Sequence, residues 1–388
     1  LASHNFSDHC FAEALRSKKF SETPLVEHQC LHMTYEALST AMAKMNWTVR
    51  NYVPVGSLIV GMAYLVRRIM ENSSQVGVLT IMRSHKKEKK IKSAYDVHRE
   101  NKESGKLDQD KTIVEITSDY FNIAPVRTYL DEERHWVEVE LEGFKSKLGK
   151  DYLNGFSHTG EKVSIPCSSN PELTVGTISF LDISSANKAV DLLDHSYNEG
   201  PWARSPFAYR ASTLIKAANL MTARRNELSA LIVYEAGKAI NEALADVDEA
   251  VDFLNFYARE ESRLFNHNDE IVSRGPVAVI SPWNFPLAIP CGMVVSSLVA
   301  GNTVALKSAE QTPLISQVLV DLLHESGVPK DVLIHVPGQG ETVGDALVNN
   351  KKIAAIVFTG SKDVGMLIAH NAGNRIYKNE LFGIEYPV

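Results

Sequence analysis

The sequence predicts an α/β protein built around a doubly wound parallel sheet. From Gly275 onward, short β-branched segments alternate with stretches of helical periodicity, which is the pattern of βαβ units. A long region without proline, 210–260, carries apolar residues at helical spacing. The chain has 388 residues, of which 44% are hydrophobic, and this is enough to build buried cores in two or three domains.

Composition narrows the classes of partner. With 40 Lys and Arg against 47 Asp and Glu, the net charge of −7 gives no general attraction for nucleic acid. The four cysteines are widely scattered and form no disulfide framework and no metal-binding pair, so we expect a reducing compartment, the cytoplasm, and no metal. The longest apolar region, 286–300, is shorter than the ~20 residues that span a bilayer. Attachment to a membrane surface is left open.

The chain is divided by a charged segment. Residues 82–111 contain few apolar side chains and many charges of both signs, a composition typical of solvated linkers. Its basic stretch is interrupted by an acidic residue, which favours a solvated connector over a nucleic-acid site. We therefore predict three regions, namely 1–83, a linker at 84–125, and a globular region at 126–388.

Beyond the linker, the predicted elements follow in a regular order. Two strand-like segments separated by turn residues predict a hairpin at 163–180. Region 210–260 predicts helix, with a break at Gly237. Four strands are then predicted at 276–281, 303–307, 332–336 and 354–360, with helices between them. Ligands of such sheets bind beyond the carboxyl ends of the strands, so the residues that follow each strand are the candidates for a site.

Glycine and hydroxyl residues follow the third and fourth strands. Gly338, Gly340 and Gly344 would let the backbone approach a phosphate, and Ser361 stands where the next helix begins and can donate its hydroxyl. A glycine pattern of this kind can equally serve the packing of a helix on a sheet. Because these residues follow consecutive strands of one predicted sheet, we favour a nucleotide site.

Charged and amide side chains follow the first two strands. Lys307 and Glu310 are placed to bind ribose hydroxyls, although Lys307 could also be a surface lysine. Asn284 lies between two prolines that restrict the backbone, so its amide can face a developing oxyanion, or it can cap the following helix.

Four motifs in this order, PWNFP, GNTVALKSAEQTP, GQGETVG and FTGS, resemble the aldehyde dehydrogenase superfamily over about residues 126–370. The resemblance implies a Rossmann-like NAD-binding domain with an oligomerisation hairpin, hence a homo-oligomer, and it implies that Asn284 is the oxyanion-hole residue. A carboxylate at Glu310 would favour NAD over NADP because it repels a 2′-phosphate. The resemblance implies cofactor contacts at Trp283, Lys307, Glu310, Gly340, Gly344, Thr359, Gly360 and Ser361.

The sequence also departs from that family. The family's cysteine nucleophile and glutamate base follow the FTGS motif, whereas no cysteine follows Cys291 here. Cys291 itself lies in an apolar helical segment, which predicts a buried and inert thiol. The segment 374–388 does not continue the family pattern. We therefore expect an internal piece of a longer protein, to which the covalent and hydride-transfer steps cannot be assigned.

The first region carries a possible carboxylate clamp. On a helix, Tyr64, Arg67, Arg68 and Glu71 would share one face, and two guanidiniums beside a phenol can bind a small acid. From spacing alone, a surface helix with a Glu–Arg pair is equally favoured.

GMAYLVRRIMEN, preceded by YVPVG, resembles the end of the proline dehydrogenase (β/α)₈ barrel in bifunctional proline utilisation proteins, and ASHN and EHQCLHMTYE resemble its late strands. The resemblance implies that proline is bound by Leu31, Tyr52, Tyr64, Arg67 and Arg68, and FAD by His4, Gln29 and Glu71.

The order of these parts resembles a proline utilisation fusion. Such a protein oxidises proline with FAD to pyrroline-5-carboxylate and then, after hydrolysis, oxidises glutamate semialdehyde with NAD to glutamate. A barrel needs about 250 residues, so we expect no proline oxidation by this chain alone. Two alternatives stay open, namely a non-catalytic module for NAD binding or assembly, and a truncated product without a stable function.

Overall fold

The computed structural model describes residues 1–2, 6–19, 26–31, 36–53, 120–155, 160–265 and 272–388. The chain divides into two compact units, Leu1–Asp110 and Lys111–Val388. This division falls outside the described residues, so the three predicted regions 1–83, 84–125 and 126–388 stay predictions.

The described part of the first unit is a β/α repeat. Its elements are α1 (Phe6–Lys19), β1 (Glu27–Leu31), α2 (Glu36–Lys44) and β2 (Thr48–Tyr52). The two strands pair in parallel from Glu27↔Thr48 to Leu31↔Tyr52, and Ala2 forms a parallel bridge with Gln29. Parallel strands joined through a helix are the unit from which a (β/α) barrel is built, as the sequence predicts.

The second unit begins with one helix and a small sheet. Its first elements are α3 (Asp131–Gly143), a short 3₁₀ turn (Phe144–Lys147), β3 (Lys150–Tyr152), β4 (Glu161–Cys167) and β5 (Asn170–Phe180). Strands β4 and β5 form the predicted antiparallel hairpin, and β3 pairs in parallel with the other edge of β5.

Four helices follow: α4 (Ile183–Glu199), α5 (Phe207–Ala223), α6 (Arg225–Ala236) and α7 (Ile240–Phe265). The predicted break at Gly237 is confirmed, since this glycine ends α6 with a φ of 69°, which side chains with a Cβ rarely adopt. A second break, at Arg224, was not predicted. It contains neither glycine nor proline, so the sequence carried no local signal for it.

The rest of the unit contains the predicted parallel sheet. Its elements are β6 (Pro276–Ile280), α8 (Ala288–Val299), β7 (Thr303–Lys307), α9 (Pro313–Ser326), β8 (Leu333–His335), a π-helical turn (Gly340–Gly344), α10 (Asp345–Asn349), β9 (Ala355–Phe358) and α11 (Lys362–Ala372). The strand order is β8-β7-β6-β9, and every pair is parallel. The chain builds outward from β6 through β7 to β8 and then returns to add β9 on the other side of β6. This reversal is a topological switch point.

Helices cover both faces of the sheet because successive strand residues point in opposite directions. Val277, Val279 and Leu306 pack on one side against apolar residues from α5, α7, α8 and α9. Ala278 and Ala305 pack on the other side against α4 and α10. This is the doubly wound arrangement that the sequence predicts.

A second hairpin, β10 (Ile376–Asn379) and β11 (Ile384–Pro387), forms a separate two-stranded sheet. Buried Asn379 attaches it to the unit, because its Nδ2 donates to Tyr197 Oη at 2.9 Å and to the Ser273 carbonyl at 3.1 Å. Among all the helices in the described ranges, none is both long and apolar enough to cross a membrane.

Candidate functional site: a cleft at the carboxyl edge of the sheet

A cleft of about 770 Å³ opens at the carboxyl edge of the β8-β7-β6-β9 sheet. Its volume is that of a small-molecule site. The residues that line it include all eight of the predicted NAD contacts: Trp283, Lys307, Glu310, Gly340, Gly344, Thr359, Gly360 and Ser361. The structure therefore brings together side chains and main chain from the ends of four strands, while their individual roles toward a cofactor stay predictions.

Lys307 and Glu310 form an ion pair inside the cleft. Lys307 is the last residue of β7, its side chain is almost completely buried, and its Nζ lies 2.6 Å from Glu310 Oε1. A buried ammonium requires a partner of opposite charge, which explains why the carboxylate follows three residues later in the loop before α9. Glu310 itself is partly exposed, so its second oxygen can meet a ligand.

A neutral histidine lies beneath this pair. His335, at the end of β8, bonds to Ser308 Oγ through Nε2 and to Gln317 Oε1 through Nδ1. Burial, together with the charge of Lys307, lowers the pKa of His335 to about 3. The positive charge at this end of the cleft therefore comes from Lys307 and not from the imidazole.

The π-helical turn presents open main chain to the ion pair. A Cβ added at Gly340 would meet only Glu310 Oε1, at 3.6 Å, and one added at Gly344 would meet only Lys307 Cε, at 4.0 Å. Space is therefore left above both glycines for a group that approaches the backbone closely. Gly338 differs, because a Cβ there would lie 2.5 Å from Val343 Cγ2. The structure gives Gly338 a packing role and places it outside the cleft lining.

The N-terminus of α11 also lines the cleft. Ser361 caps this helix and its Oγ accepts a bond from the Val364 backbone N–H at 3.3 Å, which leaves the hydroxyl proton able to donate. The positive end of the helix dipole points toward the cleft, an arrangement that favours a phosphate.

Ser281 is a lining residue that the sequence reasoning did not single out. It follows β6 directly, and its buried hydroxyl has no hydrogen-bond partner within the described part of the chain. A buried hydroxyl without a partner costs ~1–3 kcal/mol. The cleft therefore contains a polar group whose hydrogen bond a ligand could complete. The position of Ser281 at the end of a predicted strand was the sequence signal that could have indicated it.

Asn284 lies next to the cleft and not among the residues that line it. It is exposed on the turn between β6 and α8, and its carbonyl accepts a bond from Lys238 Nζ at 3.2 Å. Trp283, which precedes it, is 57% exposed and reaches the cleft. The predicted oxyanion residue, Asn284, thus directly follows Trp283, which lines the predicted nucleotide site.

The cysteines take no part in the cleft. Cys291 is fully buried in α8, where burial and the nearby Asp246 carboxylate raise the pKa of its thiol. This confirms the prediction of a buried thiol. None of the four cysteines, all of which lie in described segments, is among the residues that line the cleft.

The sequence analysis did not identify the ion pair of Lys238 and Asp246, which contacts the segment around Asn284. Asp246 in α7 accepts from the Ala288 backbone N–H at 2.7 Å and from Lys238 Nζ at 2.9 Å. The available signal was an acidic residue on the buried face of an amphipathic helix, between Ala243 and Ala250.

Part of the predicted proline and FAD site can be placed in the first unit. Leu31 and Tyr52 are register partners at the carboxyl ends of their strands, and Gln29 lies two residues before Leu31 in β1, opposite Arg50. The remaining predicted residues of this site lie outside the described residues: His4, Tyr64, Arg67, Arg68 and Glu71.

A doubly wound sheet, with an open glycine turn and a helix N-terminus at its carboxyl edge, is an arrangement typical of dinucleotide-binding α/β proteins. Comparison with known families gives a finer class. The sequence profile of the aldehyde dehydrogenase family matches residues 159–381, which is more than half of the chain, and the profile of proline dehydrogenase matches residues 1–80. The chain belongs to the aldehyde dehydrogenase family.

Similar curated proteins cover one or both parts of the chain. The 1-pyrroline-5-carboxylate dehydrogenase 1 of Halalkalibacterium halodurans is 39% identical over 259 residues, which are 63% of this chain and 50% of that protein. The bifunctional protein PutA of Klebsiella aerogenes is 32% identical over 370 residues, which are 90% of this chain and 28% of that protein. The chain thus spans half or less of the length of these relatives.

Solved structures give the same result. A 1-pyrroline-5-carboxylate dehydrogenase from Thermus with bound NAD matches with a TM-score of 0.63 and 34% identity, over 66% of this chain and 53% of that one. Proline utilization A from Bdellovibrio bacteriovorus matches with a TM-score of 0.62 and 32% identity, over 96% of this chain and 40% of that one. The resemblance to proline utilisation proteins is therefore confirmed.

Proposed function

We propose that the unit Lys111–Val388 binds NAD in the cleft and is the nucleotide-binding part of an oxidoreductase of proline catabolism. The substrate class would be glutamate semialdehyde, and the product glutamate. The unit Leu1–Asp110 would belong to the FAD-dependent proline dehydrogenase part of the same protein. The observation that carries the NAD proposal is the position of the Lys307–Glu310 pair opposite the open main chain of Gly340.

Each side of the cleft suits one part of a dinucleotide. Lys307 can donate to ribose hydroxyls and Glu310 can accept from them. The main chain at Gly340 and the N-terminus of α11 with Ser361 suit a pyrophosphate, because unpaired amides and a helix dipole attract negative charge. NAD, when bound, supplies the acceptor for a hydride. The Asn284 amide would stabilise negative charge that develops on a carbonyl oxygen next to the cleft.

The names of the relatives support the pathway. Several are 1-pyrroline-5-carboxylate dehydrogenases, one of them determined with NAD, and others are bifunctional proline utilisation proteins. Agreement over both the proline dehydrogenase and the aldehyde dehydrogenase parts favours the glutamate semialdehyde branch over other aldehydes.

Titration calorimetry of the purified chain with NAD tests this proposal. We expect saturable binding that falls about tenfold or more in Lys307→Met, because a charged hydrogen-bond donor contributes ~1.5–3 kcal/mol. Lys162→Met is the matched control, since it removes an exposed ion pair between Lys162 of β4 and Asp151 of β3, and it should bind NAD like the unchanged chain. Absence of saturable NAD binding by the unchanged chain would refute the proposal.

One observation favours a second function, namely NAD binding without turnover. No cysteine from the described ranges lines the cleft, so the described residues offer no thiol nucleophile there. An assay with glutamate semialdehyde and NAD separates the two functions. NADH formation at the rate typical of this enzyme class would exclude the non-catalytic module.

We further propose that the chain forms a homo-oligomer through the β4–β5 hairpin. Strand β4 is an outer strand of its three-stranded sheet, and among the described residues no strand pairs with its other edge, where a strand from a second chain can add. Light scattering after gel filtration should show a mass above 43.0 kDa. A monomer at all concentrations would refute this proposal.

A further inference from the structure

The turn that joins β6 to α8, residues 282–287, carries both Trp283 and Asn284 but lies outside any helix or strand. We call it the PWNFPL turn, after its sequence. Proline at positions 282 and 286 restricts the backbone φ at two points, and Leu287 at the end of the turn is buried in the core. The exposed part of the turn, which carries Trp283 and Asn284, has further contacts.

Two side chains from the α6–α7 region contact this turn and the helix that follows. The buried Asp246 carboxylate accepts from the backbone N–H of Ala288, the first residue of α8, at 2.7 Å. Its other oxygen accepts from Lys238 Nζ at 2.9 Å. Lys238 Nζ in turn donates to the Asn284 carbonyl at 3.2 Å and lies 3.9 Å from the centre of the Phe285 ring. The pair thus connects the start of α8 with the middle of the turn.

The charges of this pair oppose displacement of the turn. The Asp246 side chain is completely buried and the Lys238 side chain is 11% exposed. Moving the ammonium away would leave a buried carboxylate without its counter-ion, which costs several kcal/mol. The ammonium also gains from the face of the Phe285 ring, because an aromatic face attracts a cation. Displacement of the turn therefore breaks several favourable contacts at once.

We propose that Lys238 and Asp246 are positioning residues that hold the PWNFPL turn so that Trp283 reaches the cleft and Asn284 stays next to it. Neither residue lines the cleft, so both act through the turn. The part of the inference that concerns ligand binding rests on the proposed NAD site. The part that concerns the turn itself does not.

The first experiment follows the order of the turn without a ligand. Fluorescence anisotropy and acrylamide quenching of Trp283 are obtained as the difference between each variant and the same variant with Trp283→Phe. In Lys238→Met we expect acrylamide quenching of Trp283 to rise about twofold and its anisotropy to fall, because the turn loses its anchor. Lys238→Arg keeps a cation with several donors and should restore most of the signal of the unchanged chain. Lys162→Met, which also removes a Lys–Asp pair, should change neither quantity.

The second experiment measures NAD affinity in the same variants by calorimetry. We expect Lys238→Met to weaken NAD binding about five- to tenfold and Lys238→Arg to recover most of the affinity. If the unchanged chain does not bind NAD, the proposed function fails, whereas the Trp283 measurement still decides whether the pair holds the turn.

A double variant guards against a folding defect. Lys238→Met alone leaves the Asp246 carboxyl buried without its counter-ion, so Lys238→Met with Asp246→Asn removes both ionisable groups of the pair. Circular dichroism should show a folded chain, and Trp283 should still be more accessible to acrylamide than in the unchanged chain. Unaltered Trp283 quenching and anisotropy in the folded double variant would overturn the inference.

Discussion

Replacement of Gly340 by alanine should separate ligand binding from stability. An added Cβ would meet only Glu310 Oε1, at 3.6 Å, which is ordinary contact, and Gly340 is not among the glycines with positive φ. The folded, ligand-free chain should therefore tolerate Gly340→Ala, and the smaller entropy of its unfolded state should add about 0.4–1 kcal/mol of stability. The new methyl group would occupy space that the main chain offers to a phosphate. Overpacking of this kind costs about 1–3 kcal/mol, which corresponds to a rise of roughly 5- to 150-fold in the Kd for NAD.

Gly338→Ala is the matched control for that experiment. Its Cβ would lie 2.5 Å from Val343 Cγ2 and 3.3 Å from the Leu181 carbonyl oxygen, so the packing between the turn and the strand end must shift. We expect this variant to lose about 1–3 kcal/mol of unfolding free energy in urea denaturation. Calorimetry with NAD should therefore show the loss of affinity in Gly340→Ala, and urea denaturation should show the loss of stability in Gly338→Ala. Gly340→Ala binding NAD as tightly as the unchanged chain, or losing as much stability as Gly338→Ala, would refute this reasoning.

Three further predictions concern titratable and charged groups. Glu310→Gln should raise the affinity for NADP relative to NAD about five- to tenfold in calorimetry, because a carboxylate repels a 2′-phosphate; an unchanged ratio would contradict this. Burial raises the pKa of Glu235 from its ordinary 4.5 to about 8, although the Leu314 and Ile315 amides oppose this shift. The stability that comes from this raised pKa is therefore complete below pH 4.5 and is lost as the pH rises to 8. Glu235→Gln should flatten the pH profile of unfolding over that interval, and a profile identical to that of the unchanged chain would argue against this assignment. Cys10 is partly exposed, whereas the other three cysteines are buried. Titration with a thiol reagent should therefore show one fast-reacting thiol in the folded chain and four in the unfolded chain. Fast labelling of Cys291 in the folded chain would contradict this prediction.

The fold of the second unit was predictable because its signals are local and repeated. Each strand of the main sheet is a short β-branched segment followed by a helical stretch, and the rule that parallel strands need a crossover then fixes the architecture. The separate helices α5 and α6 were not predicted, because neither glycine nor proline marks the break at Arg224. The hairpin at 376–387 was also not foreseen, since its main attachment is Asn379, whose partners lie more than 100 positions earlier in the sequence.

Residues of the candidate site could likewise be predicted where their signal is local, and not where they depend on long-range packing. Lys307, Gly340 and Ser361 could be predicted to meet because the carboxyl ends of parallel strands share one edge of a sheet. The packing role of Gly338 could not, since GxG spacing is the same whether a glycine faces a ligand or a neighbouring side chain. Lys238 and Asp246 were missed because they lie about 40 residues before the turn they contact, and a buried ion pair is visible only after the helices have packed.

The geometry of the cleft also explains why a buried ion pair is tolerated there. An isolated Lys307 ammonium at the end of β7 would cost more free energy than its burial could return, and Glu310 offsets only part of that cost, because both ions are removed from water. A ligand with hydroxyl groups beside the pair could accept from Lys307 Nζ and donate to the second oxygen of Glu310, and the Ser281 hydroxyl, which has no partner within the described residues, could form a further hydrogen bond. These groups lie beside the main chain of Gly340 and Gly344, where space is left for a polar ligand. We therefore expect the polar residues at the four strand ends to contribute to ligand binding more than to folding.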